Sequence, residues 1–420
     1  MSRSRVRVME LGGRGLSRAA LLASALLLAS CNDGYDGCWN CGGFAFTPTE
    51  ISLGLVAGNF TNSGQTSVIA TSTVQYYRYG NPGNLKSYLS TGAGTFGAPV
   101  LTPDGDDPLY LASADLNGDK LPDVVSASYS DGTLAVFFNS TQSPGTFSTP
   151  LILSSPGASQ VAIGDLNGDG LPDLVSADFG VSLFIQSSPG AFAAPISLYP
   201  GGANWVAVGD LNGDGAPDIA LTDNVGVKVL LHTGAASSTT FAAPVSVFTQ
   251  TVNADLIGAN VIAIADLNGD GLNDLVITDP GPTGGAAPTV SVLLQDPAHP
   301  GQFLAPVSYP TAAQSLAQSI IVTDVNGDGH PDIVIGGTNA VTVLLNNAAS
   351  PGTFLTPANY GVTNANQIAV ADVNGDGHPD IIVGTGLSQN VVAGVVTNNP
   401  GVLLQSATAP GTFGALQDLP

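Results

Sequence analysis

Six nine-residue runs in this chain place oxygen ligands at a fixed spacing. They begin at Asp115, Asp165, Asp210, Asp266, Asp324 and Asp372 and read Asp, any residue, Asn, Gly, Asp, usually Gly, any residue, usually Pro, Asp. Three carboxylates and an amide in a glycine-containing turn can cage a hard cation. The side-chain candidates are Asp115, Asn117, Asp119 and Asp123 in the first run, and Asp165, Asn167, Asp169 and Asp173 in the second. Asp210, Asn212, Asp214 and Asp218 follow, then Asp266, Asn268, Asp270 and Asp274. The last two sets are Asp324, Asn326, Asp328 and Asp332, and Asp372, Asn374, Asp376 and Asp380. Oxygen-only ligation favours calcium over zinc or copper, and magnesium usually keeps more of its waters. An EF-hand would need Glu at position 12 and helices on both sides. Position 12 is instead Ser126, Ser176, Leu221, Ile277, Ile335 or Val383, and the flanks read as strands. A dockerin-like loop would also need a helix after it.

The elements that carry these runs repeat with them. The runs start 50, 45, 56, 58 and 48 residues apart, a period that belongs to a propeller, a solenoid or an array. A short apolar strand precedes each run (Val161–Gly164, Val206–Gly209, Ile262–Ala265), and a β-branched stretch such as Asp332–Ile335 follows it. A third apolar run comes next, for example Val341–Leu345. A fourth element opens with Phe and then Pro at Phe96, Phe147, Phe192, Phe241, Phe303 and Phe354; Phe413 begins a last copy without the Pro. Four short strands per unit, punctuated by turn residues, describe a propeller blade. Ala112, Ala162, Ala207, Ala263 and Ala369 lie three residues before the leading Asp, where wedge-shaped blades converge on an axis; Ile321 is the exception. Residues 59–67 align with the motif but keep no carboxylate. Counting this worn copy gives the expected fold: an all-β, seven-bladed β-propeller of four-stranded antiparallel blades over residues 44–420.

The start of the chain reads as an address. Arg3, Arg5, Arg7, Arg14 and Arg18 precede the apolar stretch Ala19–Ala29, which is too short for a comfortable membrane span. It ends in Leu28-Ala29-Ser30-Cys31, which resembles a bacterial lipobox and implies cleavage of residues 1–30 and lipid attachment at Cys31. An ordinary secretory signal is the alternative. Residues 31–43 would be a tether, in which Cys38 and Cys41 suit a disulfide in an oxidising compartment. The expected location is a bacterial cell envelope, in the outer membrane or at the cell surface. Four basic and 31 acidic residues would remain, a formal charge of −27 that disfavours nucleic acid and anionic lipid. A hydrophobic content of 44% argues against disorder as the reason for that acidity.

Together the loops, their flanks and Gly94-Thr-Phe-Gly-Ala-Pro99 resemble the FG-GAP/VCBS repeat family, the integrin-α-like propellers. The resemblance implies one structural Ca²⁺ per intact loop, up to six. It adds the main-chain carbonyls of Leu121, Leu171, Ala216, Leu272, His330 and His378 as ligands. Lys120 departs from the pattern where the turn favours a positive φ, and Asn273 stands in place of Pro. No catalytic motif is present: there is no Gly-x-Ser-x-Gly elbow, no P-loop and no His-rich metal motif, and His232 and His299 are isolated. Strand geometry puts the ligand face on the rim opposite the Asp-rich loops, near Tyr110 and Trp205 and the segments 249–260, 279–288 and 384–400. A second candidate is the aromatic group Tyr76, Tyr77, Arg78 and Tyr79. The expected function is a lipid-anchored, monomeric binding or adhesion module for a glycan or protein. A propeller-type polysaccharide lyase or hydrolase and a structural scaffold of an envelope complex are the alternatives.

Overall fold

The computed structural model describes residues 49–51, 53–75, 82–233, 239–249, 261–279, 288–312, 317–385, 391–392, 395–396 and 400–420. Those described residues lie within one compact unit, Thr47–Pro420. They contain no helix and, besides three two-stranded sheets, form seven larger antiparallel sheets whose innermost strands touch one another in a closed circle. This is the seven-bladed propeller that the repeat predicts.

Blade 1 runs Leu55–Gly58, Ser67–Gln75, Pro82–Tyr88 and Val100–Asp106 from the axis outward; Thr49–Ile51 adds a short strand beside Thr73–Gln75. Blade 2 is Pro108–Ala114, Asp123–Ser128, Thr133–Phe137 and Leu151–Ser154. Blade 3 is Gln160–Gly164, Asp173–Ala177, Val181–Phe184 and Ile196–Tyr199. Blade 4 is Trp205–Gly209, Asp218–Thr222, Gly226–Leu230 and Val245–Thr249. Blade 5 is Ile262–Ala265, Asp274–Asp279, Thr289–Leu293 and Val307–Pro310. Blade 6 is Ala317–Thr323, Asp332–Gly337, Val341–Leu344 and Ala358–Tyr360, and blade 7 is Ala365–Ala371, Asp380–Thr385, Gly401–Gln405 and Phe413–Asp418. Each Asp-rich run therefore joins a first strand to a second, as its flanks predict.

Position within the blade explains composition. Second strands such as Asp123–Ser128 and Asp380–Thr385 are buried throughout, because each has a sheet neighbour on either side and a blade above and below. Their β-branched runs suit that setting. The outermost strands alternate far less and leave Leu101, Ile152, Val245 and Val307 more than half exposed. At the axis the blades crowd: a Cβ on Gly164 would come within 2.8 Å of Val208, and one on Gly209 within 2.8 Å of Ile264. That is the physical reason for small residues on the innermost strands.

The core lies between blades. Val175, Leu183, Val206 and Ile219 fill the layer between blades 3 and 4, and Ile69, Leu85, Val124 and Phe137 that between blades 1 and 2. The ring closes without a shared blade, through Leu55, Val68, Ala369 and Ile382 packed between blades 7 and 1. Two polar links reinforce this seam. Leu55 N donates to Gln367 Oε1 at 2.8 Å, and Thr66 Oγ1 donates to the Asp372 carbonyl at 2.8 Å.

Candidate functional site

The six Asp-rich loops share one conformation. The leading carboxylate gathers main-chain amides: Asp115 accepts from Gly118, Asp119 and Lys120 at 2.7–3.1 Å. Asn117 Oδ1 accepts from Asp119 N and Asp119 Oδ1 from Leu121 N, so positions 3 and 5 each close a short turn. The last carboxylate, at Asp123, Asp173, Asp218, Asp274, Asp332 and Asp380, is wholly buried. One of its oxygens accepts from the amide at position 2 of its own loop, as Leu116 N does to Asp123 Oδ2 at 2.9 Å. The other accepts from the residue that follows the third apolar run, as Asn139 N does to Asp123 Oδ1 at 2.8 Å.

Burial pushes Asp123, Asp173, Asp218, Asp274 and Asp332 up to about 6, and raises Asp380. Backbone amides partly offset this, and the loop's other carboxylates add to it. The acids of each loop thus repel one another across a short distance, and only the first of the six loops carries a lysine, Lys120. Among the described residues no three acidic, imidazole or thiol groups form a preassembled metal cage. Asn167 Nδ2 instead donates to Asp169 Oδ2 at 2.9 Å, a bond that an arriving cation would have to replace. The donor set, all oxygen with mutually repelling carboxylates, fits a divalent hard cation.

Two loops depart from the rest. Lys120 has φ +73°, while the glycines at its position have φ near +85° (Gly170, Gly271 and Gly377), so the expected strain is present. The worn loop at Asn59–Ser67 keeps the shape without the charge: Asn62 and Gly64 have φ +54° and +77°. Ser63 Oγ accepts from Gln65 N at 3.2 Å, and Ser67 Oγ accepts from Ser90 N at 3.2 Å, in place of carboxylates.

A second set of residues braces these loops, and three of them also reach the preceding blade. The residue that closes each third apolar run is Asn139, Gln186, His232, Gln295, Asn346 or Gln405, each buried. Asn346 Nδ2 donates to Pro331 O of its own loop at 2.9 Å and to Leu267 O of the preceding blade at 2.8 Å. Gln405 makes the same pair with Pro379 and Val325, and Asn139 with Pro122 and Phe60. Each of these residues pairs with the Phe of the fourth element, for example Asn346 with Phe354 and His232 with Phe241. The motif reading missed them. Their signal was a polar residue recurring directly after each third apolar run.

The opposite rim is built differently. Tyr110 and Trp205 meet across the axis, edge to face at 5.1 Å, although they belong to blades 2 and 4. With Gln160, Ser113, Ile262 and Ile320 they line a cavity of about 340 Å³. Gln160 Oε1 accepts from Val206 N at 3.1 Å, and Gln367 Oε1 accepts from Leu111 N at 3.3 Å, so two glutamines at the same level tie blades together. Trp205 itself is buried. Farther out, Phe179 and Val225 are exposed on the second-to-third-strand turns of blades 3 and 4. Tyr199 donates to Asp223 Oδ2 at 2.9 Å, and Lys228 pairs with the same carboxylate. Asp104 is buried beside blade 2; burial pushes it up to about 8, with Ser126 lowering and Asp131 raising it. Neither Asp104 Oδ2 nor Ser126 Oγ has a partner at full hydrogen-bond geometry. Tyr76, Tyr77, Arg78 and Tyr79 lie outside the described residues, as do Cys31, Cys38 and Cys41 and most of the segments 249–260, 279–288 and 384–400.

The FG-GAP-like repeat family matches five overlapping stretches: 115–176, 165–221, 210–277, 266–335 and 324–383. The chain belongs to this family. No curated protein sequence matches it. Among solved structures it is similar to an Agrocybe aegerita lectin that recognises non-reducing terminal N-acetylglucosamine, at 19% identity and a TM-score of 0.52. That likeness covers 76% of this chain and 81% of the lectin. The biofilm matrix protein Bap1 of V. cholerae is 13% identical with a TM-score of 0.47, covering 89% of this chain and 91% of that one. The rhamnogalacturonan lyase YesW is 10% identical with a TM-score of 0.45, over 80% of this chain and 70% of the lyase.

Proposed function

We propose that this protein is a calcium-braced binding module, lipid-anchored to a bacterial envelope through Cys31, that takes a glycan or protein on the rim opposite its Asp-rich loops. One observation carries the reading: the two rims divide the work. On the Asp-rich rim the buried carboxylates and amides are spent on loop amides and on the neighbouring blade. On the other rim, aromatic and aliphatic side chains such as Phe179 and Val225 stand exposed beside carboxylates. Calcium would be held by the side chains at positions 1, 3, 5 and 9 and the carbonyl at position 7. It would supply charge neutralisation, since six dications bring −27 to −15 for residues 31–420.

The test alters one rim at a time in the lipid-free mature protein. Val225→Arg should abolish binding to a captured glycan or protein ligand, and Gln65→Arg on the Asp-rich rim should leave it intact. The reverse pattern would overturn the assignment of the face.

A further inference from the structure

The junction between the Asp-rich loops of blades 4 and 5 departs from the repeat. Position 8 of the loop is Pro122, Pro172, Pro217, Pro331 or Pro379 in five copies, and a proline has no N–H to offer its neighbour. In blade 5 the same place holds Asn273, whose Nδ2 donates to the main-chain carbonyl of Asp210 at 2.9 Å. Asp210 is the leading carboxylate of the blade 4 loop. Thr66 of the worn loop makes the corresponding bond, from Oγ1 to the Asp372 carbonyl at 2.8 Å. A donor at position 8 thus reaches the leading Asp of the preceding loop, and only between blades 4 and 5 do both loops so joined carry carboxylates.

A second contact lies beside the first. A Cβ on Gly213, at position 4 of the blade 4 loop, would come within 3.3 Å of Leu272 Cδ2, from position 7 of the blade 5 loop. At the same place in their own loops, Gly118, Gly269, Gly327 and Gly375 would have nothing within 4 Å of a Cβ. The blade 5 loop therefore rests on its neighbour through an amide and an aliphatic side chain together.

The touching residues adjoin the groups that would hold a cation. Asp210 Oδ1 accepts from Gly213 N at 2.7 Å, so the carboxylate and the glycine of blade 4 belong to one turn. Leu272 N donates to Asp270 Oδ1 at 2.9 Å, and Asn273 directly precedes the buried Asp274. Ordering either loop fixes one side of the contact and lowers the entropy still to be lost when the other is ordered. Charge acts in the opposite sense. A loop of three carboxylates falls from −3 to −1 on taking up a dication, which weakens its pull on a second dication next door. Salt screens that effect, with a Debye length of about 8 Å at physiological ionic strength, and leaves the contact in place.

We infer that Asn273 is a positioning residue that couples two calcium sites: occupancy of the loop Asp210–Asp218 raises the affinity of the loop Asp266–Asp274, and the reverse holds by the same factor. The inference rests on the reading of these loops as calcium sites and adds how two of them act on each other. One neutral hydrogen bond shifts an affinity by about two- to tenfold, so a coupling of about threefold is expected.

The test uses the lipid-free mature protein stripped of metal by a chelator. Asp119→Ser, Asp169→Ser, Asp328→Ser and Asp376→Ser together disable four loops, with the residue that the worn loop carries at position 5, where Ser63 Oγ still accepts a turn amide. The loops of blades 4 and 5 remain, and calcium is titrated into them by calorimetry at low and at physiological salt. The second ion should bind about threefold more tightly than the first after statistical correction, and the excess should grow at the higher salt. Adding Asn273→Pro, the residue of five other loops, should leave two sites with no positive coupling. A companion protein that keeps only the loops of blades 6 and 7, joined at Pro379, should match that variant. Hydrogen exchange in an otherwise native chain gives a second readout that does not depend on the fourfold variant folding. In Asp270→Ser, calcium should slow exchange of the amides from Gly269 to Leu272, and adding Asn273→Pro should abolish the slowing. Independent sites in the native pair, or coupling or slowing that survives Asn273→Pro, would overturn the inference and leave the calcium reading standing. A native chain that binds no calcium would overturn both.

Discussion

Replacing Asn346 with Leu tests whether the amide that closes a third apolar run fastens its blade to the one before. Asn346 is buried, with Nδ2 at 2.9 Å from Pro331 O and 2.8 Å from Leu267 O, and Oδ1 at 3.1 Å from Gly352 N. Leucine has a similar branched shape and none of these atoms. Three neutral hydrogen bonds contribute about 0.5–1.5 kcal/mol each, and a buried amide left without an acceptor costs about 1–3 kcal/mol. The two carbonyls fall at the low end, since each has a second lone pair. The expected loss is about 3 kcal/mol, or a fall of about 4 °C in melting midpoint at roughly 1.2 °C per kcal/mol for a chain of this length. Asn346→Gln provides the control, because Gln405 makes both carbonyl bonds at the same place in blade 7. It should cost less than about 1 kcal/mol, within the range of a volume change that neighbouring side chains can absorb. The assay is thermal and urea unfolding of the mature protein, with calcium and with chelator. A loss below about 1 kcal/mol for Asn346→Leu, or equal losses for Leu and Gln, would refute the fastening role.

Chelation should lower the melting midpoint, since an ion that binds only the folded state stabilises it; an unchanged midpoint would remove calcium from the proposal. Lys120→Gly relieves a left-handed residue that costs about 1–2 kcal/mol, offset by about 0.5–1 kcal/mol of glycine flexibility. It should therefore raise stability slightly, read as a higher urea midpoint. Asp104 has a folded pKa raised to about 8, so its contribution is fully present below about pH 4 and is lost as the pH climbs through 8. Asp104→Asn should flatten that decline and melt higher than the native protein at pH 9; identical pH profiles would show that the carboxyl does not titrate this way. Cys31→Ala should abolish incorporation of labelled fatty acid and release the protein from membranes, as read by fractionation.

Much of the architecture is legible in local chemistry. The strand between Val161 and Gly164, the turn at Asp165–Asp173 and the buried run after it are all short-range, so their residue types report them directly. The worn copy at Asn59–Ser67 could be aligned because a turn's spacing outlives its charges. What stayed hidden is long-range. Asn139 and Phe60, or Gln405 and Val325, are bonded across 79 and 80 residues, and nothing near either partner announces the other. Tyr110 and Trp205 read as equivalent blade positions, but only closure of the ring brings their edges together.

The loop of blade 1 has a consequence for how the other six could be rebuilt. With Asn62 and Gly64 left-handed and hydroxyls at Ser63 and Ser67 accepting the amides that carboxylates accept elsewhere, it is an uncharged copy of the same turn. The backbone path therefore needs neither an ion nor an acid to define it. Grafting the worn loop's nine residues, Asn59–Ser67, into the other blades one at a time would give a graded series of rings, each carrying three fewer carboxylates than the one before, until all eighteen are gone.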